Sequence, residues 1–125
     1  EPDPEQSEEG NRGAYLVRHL GHCGECHTPR GRTGALKNDL EMAGSRLGDA
    51  KIPNITPHRS DGIGRWSVSD IEYYLDIGML PDGDFAGSSM VAVIEDNTSR
   101  LTREDRRAIA TYIKSLPPLE DAVDD

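Results

Sequence analysis

Five consecutive residues, Cys23-Gly24-Glu25-Cys26-His27, constrain this chain more than any other stretch. Two thiols three positions apart, with an imidazole directly after the second, share one face of a single helical turn. A C-x-x-C-H run is the attachment signature of a c-type haem. The thiols form thioethers with the haem vinyl groups, and the adjacent imidazole binds the iron from one side. The chain has only two cysteines, so this run uses its whole thiol inventory. Two other chemistries compete for the same residues. A thioredoxin-like thiol pair follows a strand in a βαβ unit, whereas residues 14–20 upstream have helical spacing. A zinc site takes four Cys or His ligands and would draw on His19, His22, Cys23 and Cys26, leaving His27 without a role. A haem uses Cys23, Cys26 and His27 together.

At 125 residues the chain reads as one domain. Hydrophobic residues make up 34% of it, with one Phe, one Trp and four Tyr. A core built from protein alone would be thin, and a large apolar macrocycle would fill it. The net charge of −9 is unevenly spread. Residues 1–9 hold five acids and no base, and residues 119–125 hold four acids and no base. The fourteen other acids match the 14 Lys and Arg, so residues 10–118 are formally neutral. Both acidic ends are poor in apolar residues, which predicts flexible, solvated tails flanking a domain over 10–118. Nothing in this balance favours nucleic acid. No apolar run is long enough to span a bilayer. The chain begins at Glu1 without a signal peptide, as in a processed form or excised domain. A tether through a lost segment stays open.

Four or five helices can be placed, and no strand. The first runs from about Ser7 or Asn11 to Leu20, with Gly13, Leu16 or Val17, and Leu20 on one stripe. Residues 28–66 are mostly loop, with a turn of helix near Asp39–Met42. Ser67-Val-Ser-Asp70 begins a helix like a capping box, and Gly78 stops it. A short helix follows from Ser89 through Glu95. Thr102 caps the last helix, whose Ile109, Tyr112, Ile113 and Leu116 form an apolar stripe, and Pro117-Pro118 ends it.

This order of parts resembles the class I cytochromes c. Three further stretches narrow the likeness: Pro53-Asn-Ile-Thr-Pro57, Gly62-Ile-Gly-Arg-Trp-Ser67, and Leu80-Pro-Asp-Gly83 followed by a methionine. With Leu101-Thr102 and the Tyr112–Pro118 run, they are similar to the cytochrome c subunits and domains serving bacterial periplasmic dehydrogenases of alcohols, sugar acids and aldehydes. The resemblance implies an all-α cytochrome c fold around one covalently bound haem c, since only one C-x-x-C-H is present. It implies a close crossing of the first and last helices, with Gly13 against Tyr112 or Ile113. It also implies Asn54, Arg65 and Trp66 near the haem propionates, where an amide, a guanidinium and an indole N–H are suitable donors.

The resemblance puts the second iron ligand, opposite His27, at Met90, with Met79, His58 or an open position as alternatives. A thioether is soft and neutral, and it raises the potential relative to a second imidazole. Met42 is assigned to the core, where a flexible thioether fills gaps. The family likeness implies a one-electron carrier, without catalysis of its own, exported to the periplasm. Its partners would be a periplasmic dehydrogenase or reductase on one side and an oxidase or another cytochrome on the other. The rival readings are a five-coordinate haem enzyme or gas sensor, and a zinc-binding structural domain.

Overall fold

Helix formation starts at Ser7, whose Oγ accepts the Gly10 N–H at 2.9 Å and caps α1 (Glu8–Tyr15). The computed structural model describes residues 4, 7–47, 50–87 and 89–122, apart from the side chains of Leu47, Ala50 and Ser89. Its described residues fall into two units. One holds those within Glu1–Gly21 and Trp66–Tyr112, the other those within His22–Arg65 and Ile113–Asp125.

In the first unit α1 does not run on as a regular helix to Leu20. From Leu16 to Gly21 the backbone widens into a π-helical turn. Each wider turn shifts the phase of the apolar stripe. Leu16 and Val17 are buried, whereas Leu20, expected on that stripe, is 50% exposed. Residues 7–9 are also not a free tail. Glu8 and Glu9 occupy the favourable first turn of α1, and Glu9 accepts a 2.8 Å hydrogen bond from Thr111.

The next helix, α3 (Val68–Ile77), has the predicted punctuation. Ser67 and Asp70 form a reciprocal capping box at 3.0 and 2.9 Å, and Gly78 closes the helix at φ 79°. The following α4 spans Ser89–Asp96, and α5 spans Arg103–Ser115, with Thr102 Oγ1 accepting the Asp105 N–H. Ile109, Tyr112, Ile113 and Leu116 are all buried, as their spacing predicts. Gly13 is in contact with α5. A Cβ there would lie 2.0 Å from the Ala108 carbonyl oxygen and 2.7 Å from Tyr112 Cβ. Arg12 and Asp105 pair at 3.1 Å beside this crossing, and Arg18 Nε donates to the Tyr112 hydroxyl at 2.8 Å.

A buried hydroxyl joins α3 to the short 3₁₀ turn Thr98–Arg100. Thr98 Oγ1 donates to the Leu75 carbonyl at 2.7 Å. Thr98→Val keeps the shape and leaves that carbonyl unpaired, so it should cost about 1–2 kcal/mol in urea unfolding. A cost near zero would show that the carbonyl finds another donor.

The second unit contains α2 (Cys23–His27) and, against expectation, a two-stranded antiparallel hairpin. Strands β1 (Ser45–Leu47) and β2 (Ala50–Ile52) pair in the register Ser45–Ile52, Arg46–Lys51 and Leu47–Ala50. Three-residue strands are too short to show alternation. The expected turn of helix near residue 39 is a 3₁₀ turn over Asn38–Leu40. Met42 is buried at 2% exposure with φ 66°, in keeping with its core assignment. The segment 119–122, predicted as tail, is hydrogen-bonded along its length to this unit. Its own backbone groups make most of those bonds, and an acidic composition does not reveal them. Residues 1–3, 5, 6 and 123–125 of the two predicted tails lie outside the described residues.

Candidate functional site

The helical turn α2 is set by an unusual residue at its start. His22 caps it in the left-handed region at φ 52°, a backbone state uncommon for a residue other than glycine. One turn then brings Cys23, Cys26 and His27 onto a common face. The two cysteines form no disulfide with each other, and Cys23 is half-buried while Cys26 is exposed. The carbonyls ending α2 all find donors. Thr28 N–H reaches the Gly24 carbonyl at 3.1 Å, Ser45 Oγ donates to the Cys26 carbonyl, and Gly44 N–H donates to the His27 carbonyl at 2.7 Å. The unforeseen hairpin therefore has a task, because β1 anchors the end of the motif.

The imidazole of His27 is oriented by one bond. Its Nδ1 lies 2.7 Å from the carbonyl oxygen of Pro53. A carbonyl only accepts, so Nδ1 carries the proton and Nε2 keeps its lone pair for a metal. Burial pushes the His27 pKa down, opposed by the Pro53 bond, so the neutral ring is favoured. Burial likewise pushes the Cys23 thiol up. Two cysteines and an imidazole with a fixed tautomer are the donor set that a covalent haem requires. The residues present fit that group.

The zinc alternative has no such support. Among the described residues, no three His, Cys, Asp or Glu side chains converge to hold a metal ion. His58, an alternative ligand, has its Nδ1 accepting the Asp61 N–H at 3.0 Å.

The remaining site residues divide between the two units. Asn54, in the second, is 3% exposed and engaged within the protein. Its Nδ2 donates to the Leu119 carbonyl at 2.8 Å, and its Oδ1 accepts the Thr56 N–H at 2.8 Å. Arg65, in the same unit, is exposed and donates through Nε to the Arg59 carbonyl at 3.2 Å. Trp66, in the first unit, is half-buried and packs edge-on to Tyr74 with ring centroids 5.6 Å apart.

Met79 and Met90 both belong to the first unit and both are half-buried. Met79 pairs with Phe85 in an isolated bridge across the Leu80–Asp84 turn, where Leu80 N–H reaches the Asp84 carbonyl at 2.7 Å. Met90 stands in the first turn of α4, within the helix expected from Ser89. Pro53, Thr56 and Ser45 are the residues that sequence reasoning missed. Pro53 had a signal in the Pro-Asn-Ile-Thr-Pro run. The partners of Ser45 and Thr56 depend on long-range folding and left none.

Beside Trp66, burial raises the Tyr74 hydroxyl pKa above its ordinary value near 10. Folding thus favours the neutral phenol, and stability is fully present below pH 10. As pH rises above about 10 the unfolded chain ionises first and stability falls. Spectrophotometric titration should find one tyrosine of the folded protein ionising later than a free tyrosine. Four normal tyrosines would contradict this.

A family model described as cytochrome c matches residues 11–117. A Cereibacter sphaeroides protein named diheme cytochrome c-type is 50% identical over 114 residues, covering 90% of this chain and 37% of that relative. The fructose dehydrogenase cytochrome subunit of Gluconobacter japonicus is 41% identical over 115 residues, covering 92% of this chain and 24% of the relative. The gluconate 2-dehydrogenase cytochrome c subunit of Pantoea cypripedii is 40% identical over 113 residues, covering 84% and 25%. The chain thus spans between about a quarter and somewhat over a third of the length of these relatives.

Proposed function

We propose that this chain, which belongs to the cytochrome c family, carries one covalent haem c and passes single electrons from a dehydrogenase to a downstream acceptor. The observation that carries the proposal is the α2 turn, which sets Cys23 and Cys26 beside a His27 ring oriented through Nδ1. Cys23 and Cys26 would each form one thioether, and His27 would bind iron through Nε2. When bound there, the haem supplies a one-electron ferric/ferrous couple. Met90 would be the second iron ligand, its neutral sulfur favouring the ferrous state. The Pro53 carbonyl keeps the His27 proton on Nδ1 and so keeps the ligating nitrogen free.

Two of the three relatives above are named as dehydrogenase cytochrome subunits, which supports a dehydrogenase as electron donor. One relative is named diheme, whereas these 125 residues hold a single C-x-x-C-H, which supports one haem here. A periplasmic location follows from this reading, because c-type haem is attached outside the cytoplasm. Among the described residues no helix is long and apolar enough to cross a membrane.

Intact mass of the protein from a host competent in cytochrome maturation decides the central point. One haem should add to the polypeptide mass and resist extraction by acid acetone, and Cys23→Ser with Cys26→Ser should abolish it. An extractable haem, or a mass carrying zinc, would overturn the reading. Reduction by a fructose or gluconate dehydrogenase, followed spectrally, tests the donor class. Failure with both would leave the carrier without the class of donor proposed here.

A further inference from the structure

The segment after Pro118 holds a particular loop in place. Leu119 offers both of its backbone groups to that loop. Its carbonyl accepts from Asn54 Nδ2 at 2.8 Å, and its N–H donates to Thr56 Oγ1 at 3.1 Å. Thr56 Oγ1 has Asn54 Oδ1 at 2.8 Å and the Leu119 carbonyl at 3.1 Å as acceptors for its single proton. Two residues on, Asp121 N–H donates to the Asp61 carboxylate at 3.0 Å, and the Asp121 carboxylate meets Lys51 Nζ at 3.3 Å. Ala122 N–H then reaches the Ala43 carbonyl at 3.0 Å. Residues 119–122 are thus a strap fastened at four places, from Ala43 to Asp61.

The strap's inner fastening is the informative one. Asn54 and Thr56 are 3% and 0% exposed, so their bonds are made away from water, where a lost partner is costly. Asn54 directly follows Pro53, whose carbonyl holds the His27 ring. The chain of contacts therefore runs from Leu119 to Asn54 and Thr56, to Pro53, and to the imidazole. A carbonyl accepting from Nδ1–H makes a metal-binding imidazole a stronger donor. A stronger donor favours ferric iron and lowers the potential.

We propose that the Leu119–Ala122 strap, acting through Asn54 and Thr56, positions the Pro53 carbonyl on His27 and thereby holds the haem potential down. The strap is a positioning element and touches no reacting atom. The inference rests on the haem reading above for its effect on potential, and on the structure alone for its effect on the His27 bond.

The test uses the haem-loaded protein with three changes: truncation after Pro118, Thr56→Val, and Thr56→Ser. Valine keeps the shape of threonine without its hydroxyl, whereas serine restores the hydroxyl. Truncation and Thr56→Val should raise the midpoint potential and speed solvent exchange of the His27 Nδ1 proton in nuclear magnetic resonance. A tenfold shift in the ferrous-to-ferric balance would read as about 59 mV. Thr56→Ser should stay with the unmodified protein. Thr98→Val, in the other unit, should lose stability without moving either signal.

The proposal is overturned if truncation and Thr56→Val lower stability yet leave potential and exchange unchanged. It is equally overturned if serine shifts them as far as valine. Should the truncated chain not mature, the Thr56 pair decides alone. Unmodified protein without covalent haem would refute the functional reading instead. The Nδ1 exchange rate of the haem-free chain would then still decide whether the strap holds the His27 bond, with unchanged exchange in Thr56→Val counting against it.

Discussion

Gly13→Val is expected to destabilise the protein by about 3 kcal/mol or more, a fall in melting temperature on the order of 10 °C. Even the first added carbon has no space. It would lie 2.0 Å from the Ala108 carbonyl oxygen and 2.7 Å from the Ala108 carbonyl carbon, both backbone atoms of α5. Backbone in a helix cannot rotate aside as a side-chain tip can, so α1 and α5 must separate. Separation would stretch the Arg12–Asp105 pair and the Arg18–Tyr112 bond beside the crossing. The two further carbons of valine add to the clash. Gly87 provides the control, because a Cβ there meets nothing within 4 Å and its backbone is unstrained. Gly87→Ala should stay within about 0.5 kcal/mol of the parent. Urea or thermal unfolding of both variants measures the difference. Equal, small effects would mean that α1 and α5 leave room for a side chain at Gly13.

That crossing was half legible in the sequence. A glycine on the first helix facing Tyr112 follows from the family likeness, but Ala108, the tighter neighbour, does not. Legibility tracks the range of the interaction. The boundaries of α3 are readable because the Ser67–Asp70 box and Gly78 act within one turn. The haem motif is readable for the same reason, since five adjacent residues contain the donor set. The π-turn at Leu16–Gly21 is a slip in backbone hydrogen bonding, and no residue type announces it. The hairpin had one signal, the Gly48-Asp49 pair between its two short runs, of the kind that joins hairpin strands. The strap is the clearest failure of composition. Four acids in seven residues read as a solvated end, yet the bonds that fasten it use mostly backbone N–H and C=O groups. Asn54 shows the same limit: its amide was legible as a donor, but the distant Leu119 carbonyl that accepts one of its two N–H groups was not.

Met90→Ala is expected to have the largest effect on redox behaviour. If the Met90 sulfur is the second iron ligand, its removal abolishes the weak far-red band of sulfur-bound ferric haem. It also lowers the midpoint potential, because a thioether favours ferrous iron, and it opens the iron to carbon monoxide. Met79→Ala should leave all three properties intact. Met79 follows the Gly78 stop and opens the Leu80–Asp84 turn, bridged to Phe85, where a flexible hydrophobe fits without any metal. Being half-buried, it should cost about 1–2 kcal/mol on truncation, below the range for a fully buried methionine. The case for Met90 rests on the family likeness and on its own surroundings. It follows Gly87-Ser-Ser and begins α4, so its neighbours are small on the side from which the chain arrives. The paired variants keep the outcomes apart. Loss of the band in Met79→Ala alone would move the ligand to the Leu80–Asp84 turn. Retention of the band in both would exclude either sulfur. Carbon monoxide binding to the unmodified ferrous protein would favour the five-coordinate reading over the carrier, because a bound sulfur leaves no open position for it.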